Sequence, residues 1–120
     1  MTSQDWSIVF AIDERGRSPV EEFLTALDLK TQQRFRWSLE QLRIRNVRAG
    51  MPLVRHLEGD LWELREESRG NIYRLLYFFS IGRHIVFVHG FHKKTRRTPA
   101  REIAIAQARF RTFLAREGGE

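Results

Sequence analysis

The sequence predicts an α+β domain, on three observations. Apolar residues recur at helical spacing over residues 20–42 and again over 103–113, but form strand-like runs between residues 61 and 91. Helix-start signals, Ser18-Pro19 and Thr98-Pro99, precede a helix on each side of those runs. The strand-like runs are separated only by short segments containing glycine, which favours antiparallel neighbours.

Each element follows in order. Trp6–Ile12 reads as a first strand, ended by the polar stretch Asp13–Arg17. Ser18 can cap the first helix, Pro19 suits its first position and Glu21 completes a capping box; Val20, Phe23, Leu24 and Leu27 make its apolar stripe. A second helix is expected from about Leu29 to Val47, with Phe35, Leu39 and Leu42 on one face and Gly50 and Pro52 as its stop. The two form a helical hairpin whose polar side carries Lys30, Arg34, Arg36, Arg43 and Arg45. Leu53–Leu57 suggests a short edge strand. Leu61–Arg65, Ile72–Phe79 and Ile85–Phe91 are the main strands. A last helix follows Thr98-Pro99, with Ile103, Ala106, Phe110 and Phe113 facing inward.

The whole chain, residues 1–120, is expected to be one domain, long enough to bury a substantial core. Fourteen aromatic residues and a hydrophobic fraction of 42% supply that core; only the tip Gly118-Gly119-Glu120 reads as disordered. The absence of cysteine excludes disulfides, thiol catalysis and zinc–thiolate sites, and suits a reducing cytoplasm. No apolar run reaches membrane-spanning length, and Met1–Asp5 lacks the basic start of a secretion signal. A net charge of +6 points to polyanionic partners, above all nucleic acid.

The positive charge is clustered. Arg74 is the only charge between Asn71 and Phe79, and a lone cation in an apolar strand must find a partner. Two readings stand open: an ion pair with Glu63 or Glu66, or a phosphate held bidentately by the planar guanidinium. Arg65 could approach Arg74 across the hairpin, and an anion between them would relieve the repulsion; a salt-bridge network through Glu63 and Glu67 is the competitor. Lys93, Lys94, Arg96, Arg97 and Arg101 lie in a run with no acidic residue from His92 to Arg101, as a phosphate-contacting surface would have. Tyr73 and Phe91 are candidates to stack on exposed bases. His92, at the start of the basic loop, is the better-placed imidazole for proton transfer; His89, inside an apolar strand, fits a satisfied core residue. The histidine spacing gives no metal site, the carboxylates form no two-metal cluster, and no cofactor motif is present.

Taken together, Ser18-Pro19-Val20-Glu21-Glu22-Phe23-Leu24, Leu61-Trp62-Glu63-Leu64-Arg65, Tyr73-Arg74-Leu75-Leu76-Tyr77, His89-Gly90-Phe91-His92-Lys93-Lys94-Thr95 and Thr98-Pro99 resemble the phage-derived HigB-like toxins of the RelE/ParE superfamily. The resemblance spans roughly residues 6–114. It implies a RelE-like fold: a twisted antiparallel sheet packed by an N-terminal strand and helical hairpin, with a C-terminal helix. It implies a cytoplasmic toxin of a type II toxin–antitoxin system, an endoribonuclease or mRNA interferase cutting mRNA on the ribosome and inhibited by a helix-turn-helix antitoxin encoded by the adjacent gene. Arg65 and Arg74 match positions that hold RNA phosphates, and Lys93 and Lys94 a basic position after the last core strand. Tyr73, Arg96, Arg97 and Arg101 complete the RNA-binding set. RelE-like nucleases often carry a proton-abstracting tyrosine near the C-terminus; this chain has none after Tyr77, which makes His92 the substitute. Neither metal nor cofactor enters the implied reaction, in which the substrate's 2′-hydroxyl attacks the adjacent phosphate. Arg74→Ala is expected to abolish cleavage and leave the fold intact. Two other readings share the fold: a ParE-type gyrase poison and a non-catalytic nucleic-acid-binding module.

Overall fold

In the computed structural model, residues 6–45, 54–80 and 82–117 are described. Val47, Gly50, Pro52 and Leu53, Met1–Asp5 and Gly118–Glu120, on which some of the expectations above fall, lie outside the described residues. The elements run β1 (Ser7–Phe10), α1 (Pro19–Thr25), α2 (Leu29–Arg45), β2 (Val54–Glu58), β3 (Leu61–Ser68), β4 (Asn71–Ser80), β5 (His84–Lys93) and α3 (Ala100–Glu117).

The Ser18 hydroxyl caps α1 by accepting from the Glu21 amide at 3.1 Å, and Pro19 opens the helix. β3 and β4 meet through Arg69 and Gly70, both at positive φ (54° and 82°), the geometry of a tight two-residue hairpin turn. The sheet order is β1-β5-β4-β3-β2. β2 to β5 pair antiparallel, as the short connections imply. β1 adds to β5 in parallel, so the sheet is mixed rather than wholly antiparallel; the helical hairpin carries the chain away before β2, so β1 reaches its neighbour without a tight turn.

Helices cover both faces of the sheet. Val20, Phe35 and Leu42 from α1 and α2 pack on Leu64, Leu75, Tyr77, Ile85 and Phe87. On the opposite face, Ala106 of α3, flanked by Ile103, Phe110 and Phe113, packs on Leu61, Leu76, Phe78, Val86 and Val88. Phe78 and Phe110 stack with centroids 3.9 Å apart. α1 approaches β5 at Gly90, where an added Cβ would lie 2.6 Å from the Phe23 ring.

One irregularity in β5 positions the site. Tyr77 pairs with Phe87 but Leu76 pairs with His89, leaving Val88 as one extra residue. Up to Val88 the odd residues Ile85 and Phe87 face the hairpin; beyond the bulge the phase reverses, and His89, Phe91 and Lys93 face α3.

No helix among the described residues is long and apolar enough to cross a membrane.

Candidate functional site

The register of β3 and β4 sets Arg65 directly opposite Arg74, a placement that brings their Cβ atoms to roughly 5 Å. Lys93 of β5 lies opposite Ile72, on the same sheet face as Arg74. Arg55 of β2 lies opposite Glu63 of β3. Four strands thus deliver four cations to one end of the α3-side face.

Glu63 is the counter-charge at their centre. It is 1% exposed, accepts a 2.5 Å hydrogen bond from the Thr98 hydroxyl, and lies 3.1 Å from Arg55 Nη2 and 3.5 Å from Arg74 Nε. The second carboxylate, Glu67, is 3.3 Å from Arg65 Nη2. Arg74 is buried, whereas the Arg65 side chain is 41% exposed. The Nε atoms of both arginines are buried without a hydrogen-bond partner; Arg74 is attracted to Glu63 but its Nε–H is not aimed at it. Burial disfavours the Arg74 charge, Glu63 favours it, and Arg65 and Arg55 oppose it.

Lys93 is also buried, and its ammonium donates to the Arg96 carbonyl. Burial first, and Arg74 second, push its pKa below the ordinary lysine value; Glu63 works the other way. With Lys93 and Thr98 both anchored at the Glu63 cluster, the loop between them is held beside it, displaying the exposed Lys94, Arg96 and Arg97. An open cleft of about 430 Å³ continues from here between β2 and the start of α3, lined by Arg55, Leu57, Arg97, Thr98 and Ile103. Arg101 is exposed in the first turn of α3, 3.2 Å from Glu102.

The structure therefore brings Arg65, Arg74 and Lys93 together, with Lys94, Arg96 and Arg97 on the adjoining loop. Of the two readings of Arg74, the ion pair is present, and its partner is Glu63. Glu66 points to the other face, where it accepts from Ser38 at 2.8 Å and lies 3.8 Å from Arg34. Two of the expected site residues are not brought to this cluster. His92 does not stand with the cations: alternation beyond the bulge sends it to the hairpin face, against Tyr73 with centroids 5.1 Å apart. Tyr73 is on that face too, edge-on to Phe23 and Phe35, so the thickness of the sheet separates it from the cation cluster. Phe91 shares the α3 face but is buried and stacked on His89.

His89 is a satisfied core residue. Arg109 can only donate, so the 2.9 Å contact from its Nη1 fixes His89 Nδ1 as an acceptor; Nε2–H then donates to Glu102 Oε1 at 2.5 Å. Burial lowers the His89 pKa, Glu102 only partly opposing it. Tyr77, the last tyrosine, lies within the hairpin-side core, where burial pushes its phenol pKa upward.

Sequence reasoning missed Arg55 and Thr98. Arg55 was readable only once β2 was paired with β3 in register. Thr98 reads as a helix-start residue, and nothing local signals that its hydroxyl bonds a glutamate 35 residues earlier. Among the described residues no group of three or more His, Asp or Glu side chains is arranged to hold a metal ion.

Residues 22–111, from α1 into α3, match the family described as "Phage derived protein Gp49-like (DUF891)". No curated protein matches the chain.

Proposed function

The chain belongs to the Gp49-like family of phage-derived proteins, a family of RelE/HigB-like toxins, and we propose that it is an endoribonuclease that cleaves mRNA on the ribosome. The family implies an antitoxin partner. One observation carries the reading. Arg65 and Arg74 oppose each other across a strand pair, neither Nε having a hydrogen-bond partner, and Arg55 and Lys93 stand beside them, so the cations around Glu63 and Glu67 outnumber the carboxylates. A phosphodiester completes such a site, since guanidinium forks bind its oxygens.

The reaction is an internal transesterification. The 2′-hydroxyl oxygen attacks phosphorus, the P–O5′ bond breaks, the 2′ proton is released to a base and the leaving O5′ takes up a proton. The products are a 2′,3′-cyclic phosphate and a free 5′-hydroxyl, and atoms balance without an added water. Arg65 and Arg74 stabilise the charge that builds on the non-bridging oxygens. Lys93, a stronger acid than an ordinary lysine because it is buried among cations, donates the proton that the leaving O5′ takes up. General acid catalysis of this kind contributes about 100- to 10,000-fold. The exposed Lys94, Arg96, Arg97 and Arg101 steer and hold the flanking RNA backbone.

The test is cleavage of mRNA by purified protein with ribosomes, in the presence of a metal chelator. Discrete cuts ending in 2′,3′-cyclic phosphate, lost in Arg65→Ala, are expected. Arg65 is the cleaner probe, because removing buried Arg74 also strips Glu63 of a partner; that revises the expectation that Arg74→Ala leaves the fold untouched. Gyrase-dependent DNA breaks without RNA cleavage would instead establish a ParE-type poison, and RNA binding without cleavage a non-catalytic module.

A further inference from the structure

α2 has a second face that the fold leaves uncovered. Thr31, Phe35, Ser38 and Leu42 are buried inward. On the outward side Leu29, Trp37 and Ile44 are 74%, 62% and 48% exposed. With Gln33 and Glu40 between them they lie three or four residues apart, forming one stripe along the helix. Scattered single exposed apolar residues are ordinary, but three large ones aligned around a tryptophan mark an interaction surface. The stripe is flanked by charge of one sign: α2 carries five cations (Lys30, Arg34, Arg36, Arg43 and Arg45) and one carboxylate, Glu40. Two of these cations already reach carboxylates, Arg34 to Glu66 and Arg43 to Glu40.

We infer that this outward face of α2 docks an acidic amphipathic helix of the protein antitoxin. Complementarity dictates the chemistry of the occupant. An apolar ridge must meet Leu29, Trp37 and Ile44, which are spread over roughly 22 Å, or four turns of helix. Carboxylates on both sides of that ridge must face the lysine and arginines. Nucleic acid would satisfy the cations but offers no counterpart to aliphatic groups at both ends of the stripe. α2 packs on the opposite sheet face from Arg65, Arg74 and Lys93, so this docking leaves the cation cluster uncovered. The inference draws on the family's antitoxin partnership but not on RNA cleavage.

The test uses the separately purified product of the gene adjacent to this one, titrated against the full chain. Wild-type protein is expected to bind it, more weakly as salt rises. Trp37→Glu and the pair Lys30→Glu/Arg36→Glu should each weaken binding by roughly 30-fold or more. Arg65→Ala should bind like wild type. Because Trp37, Lys30 and Arg36 are exposed, unchanged thermal unfolding of the variants is expected and would tie any loss to the surface. Undiminished binding by both variants overturns the inference, as does an adjacent gene product that fails to bind. Loss in Trp37→Glu of self-association, or of RNA binding alone, also overturns it, in favour of a second copy or of nucleic acid. Failure of the nuclease reading would show instead in the cleavage assay, whatever happens here.

Discussion

Replacing Glu63 with glutamine tests the electrostatic account of the site. The side chain keeps its shape and its amide oxygen can still accept from Thr98, but the negative charge between Arg55 and Arg74 is gone. At an effective dielectric of about 20, the 3.5 Å separation from Arg74 corresponds to roughly 5 kcal/mol of Coulomb attraction. Desolvation offsets much of that, and breaking a buried ion pair typically costs about 3–5 kcal/mol. With the Thr98 contact retained, about 3 kcal/mol of lost stability is expected, a fall of roughly 1–3 M in the urea midpoint. The same substitution leaves Arg55, Arg65, Arg74 and Lys93 facing only Glu67, so an added anion should bind more tightly. Urea unfolding, followed by tryptophan fluorescence at constant ionic strength in chloride and in phosphate, reads both effects. Phosphate should restore at least about 1 kcal/mol to Glu63→Gln and less to wild type. A variant that loses under about 1 kcal/mol, or that phosphate stabilises no more than wild type, would refute the claim that this carboxylate holds together an anion site.

Three further outcomes are expected. Lys93→Arg keeps the positive charge but removes the readily titrated ammonium; single-turnover cleavage should slow about 100-fold while RNA affinity is nearly unchanged, and an equal loss in both would assign Lys93 to binding alone. His89 is held neutral by burial between Arg109 and Glu102, with its pKa lowered, so the unfolded chain binds the proton more readily. Its contribution to stability is therefore present above about pH 6.5 and is lost as the pH falls below that value, by at most about 1.4 kcal/mol per pH unit; a His89→Gln variant whose stability falls just as steeply between pH 6.5 and 5 would contradict this. Gly90→Ala places a methyl group against the Phe23 ring and Leu75; about 1–3 kcal/mol should be lost in chemical unfolding, and Phe23→Leu in the same chain should recover part of it.

The order of elements was legible because each carries its own local signal: Ser18-Pro19-Val20-Glu21 starts α1 as the capping rule predicts, and the turn at Arg69-Gly70 sits where a glycine interrupts two apolar runs. The parallel pairing of β1 with β5 was not legible. It joins residues nearly eighty positions apart, and Ser7–Phe10 contains nothing that distinguishes one edge of the sheet from the other.

The site was legible in its residue types and only partly in its geometry, and the difference turns on one residue. Plain alternation from Ile85 and Phe87, which face the helical hairpin, would send His89 and Lys93 to the hairpin side and His92 toward α3. The bulge at Val88 inverts that count, so His92 joins Tyr73 and Lys93 joins the arginines. Nothing in Val86-Phe87-Val88-His89 announces a bulge, since every residue there is suited to a regular strand. What holds the inverted phase is tertiary: His89 reaches Glu102 and Arg109 on α3, and Gly90 alone leaves room for Phe23 on the other side. The His89 network, remote from the arginines in sequence, thus fixes which side chain of His92-Lys93 faces them. If the pairing of His89 with α3 sets the phase of β5 in this way, weakening it should disturb the position of Lys93 before it disturbs Arg65 and Arg74, whose register is set by β3 and β4.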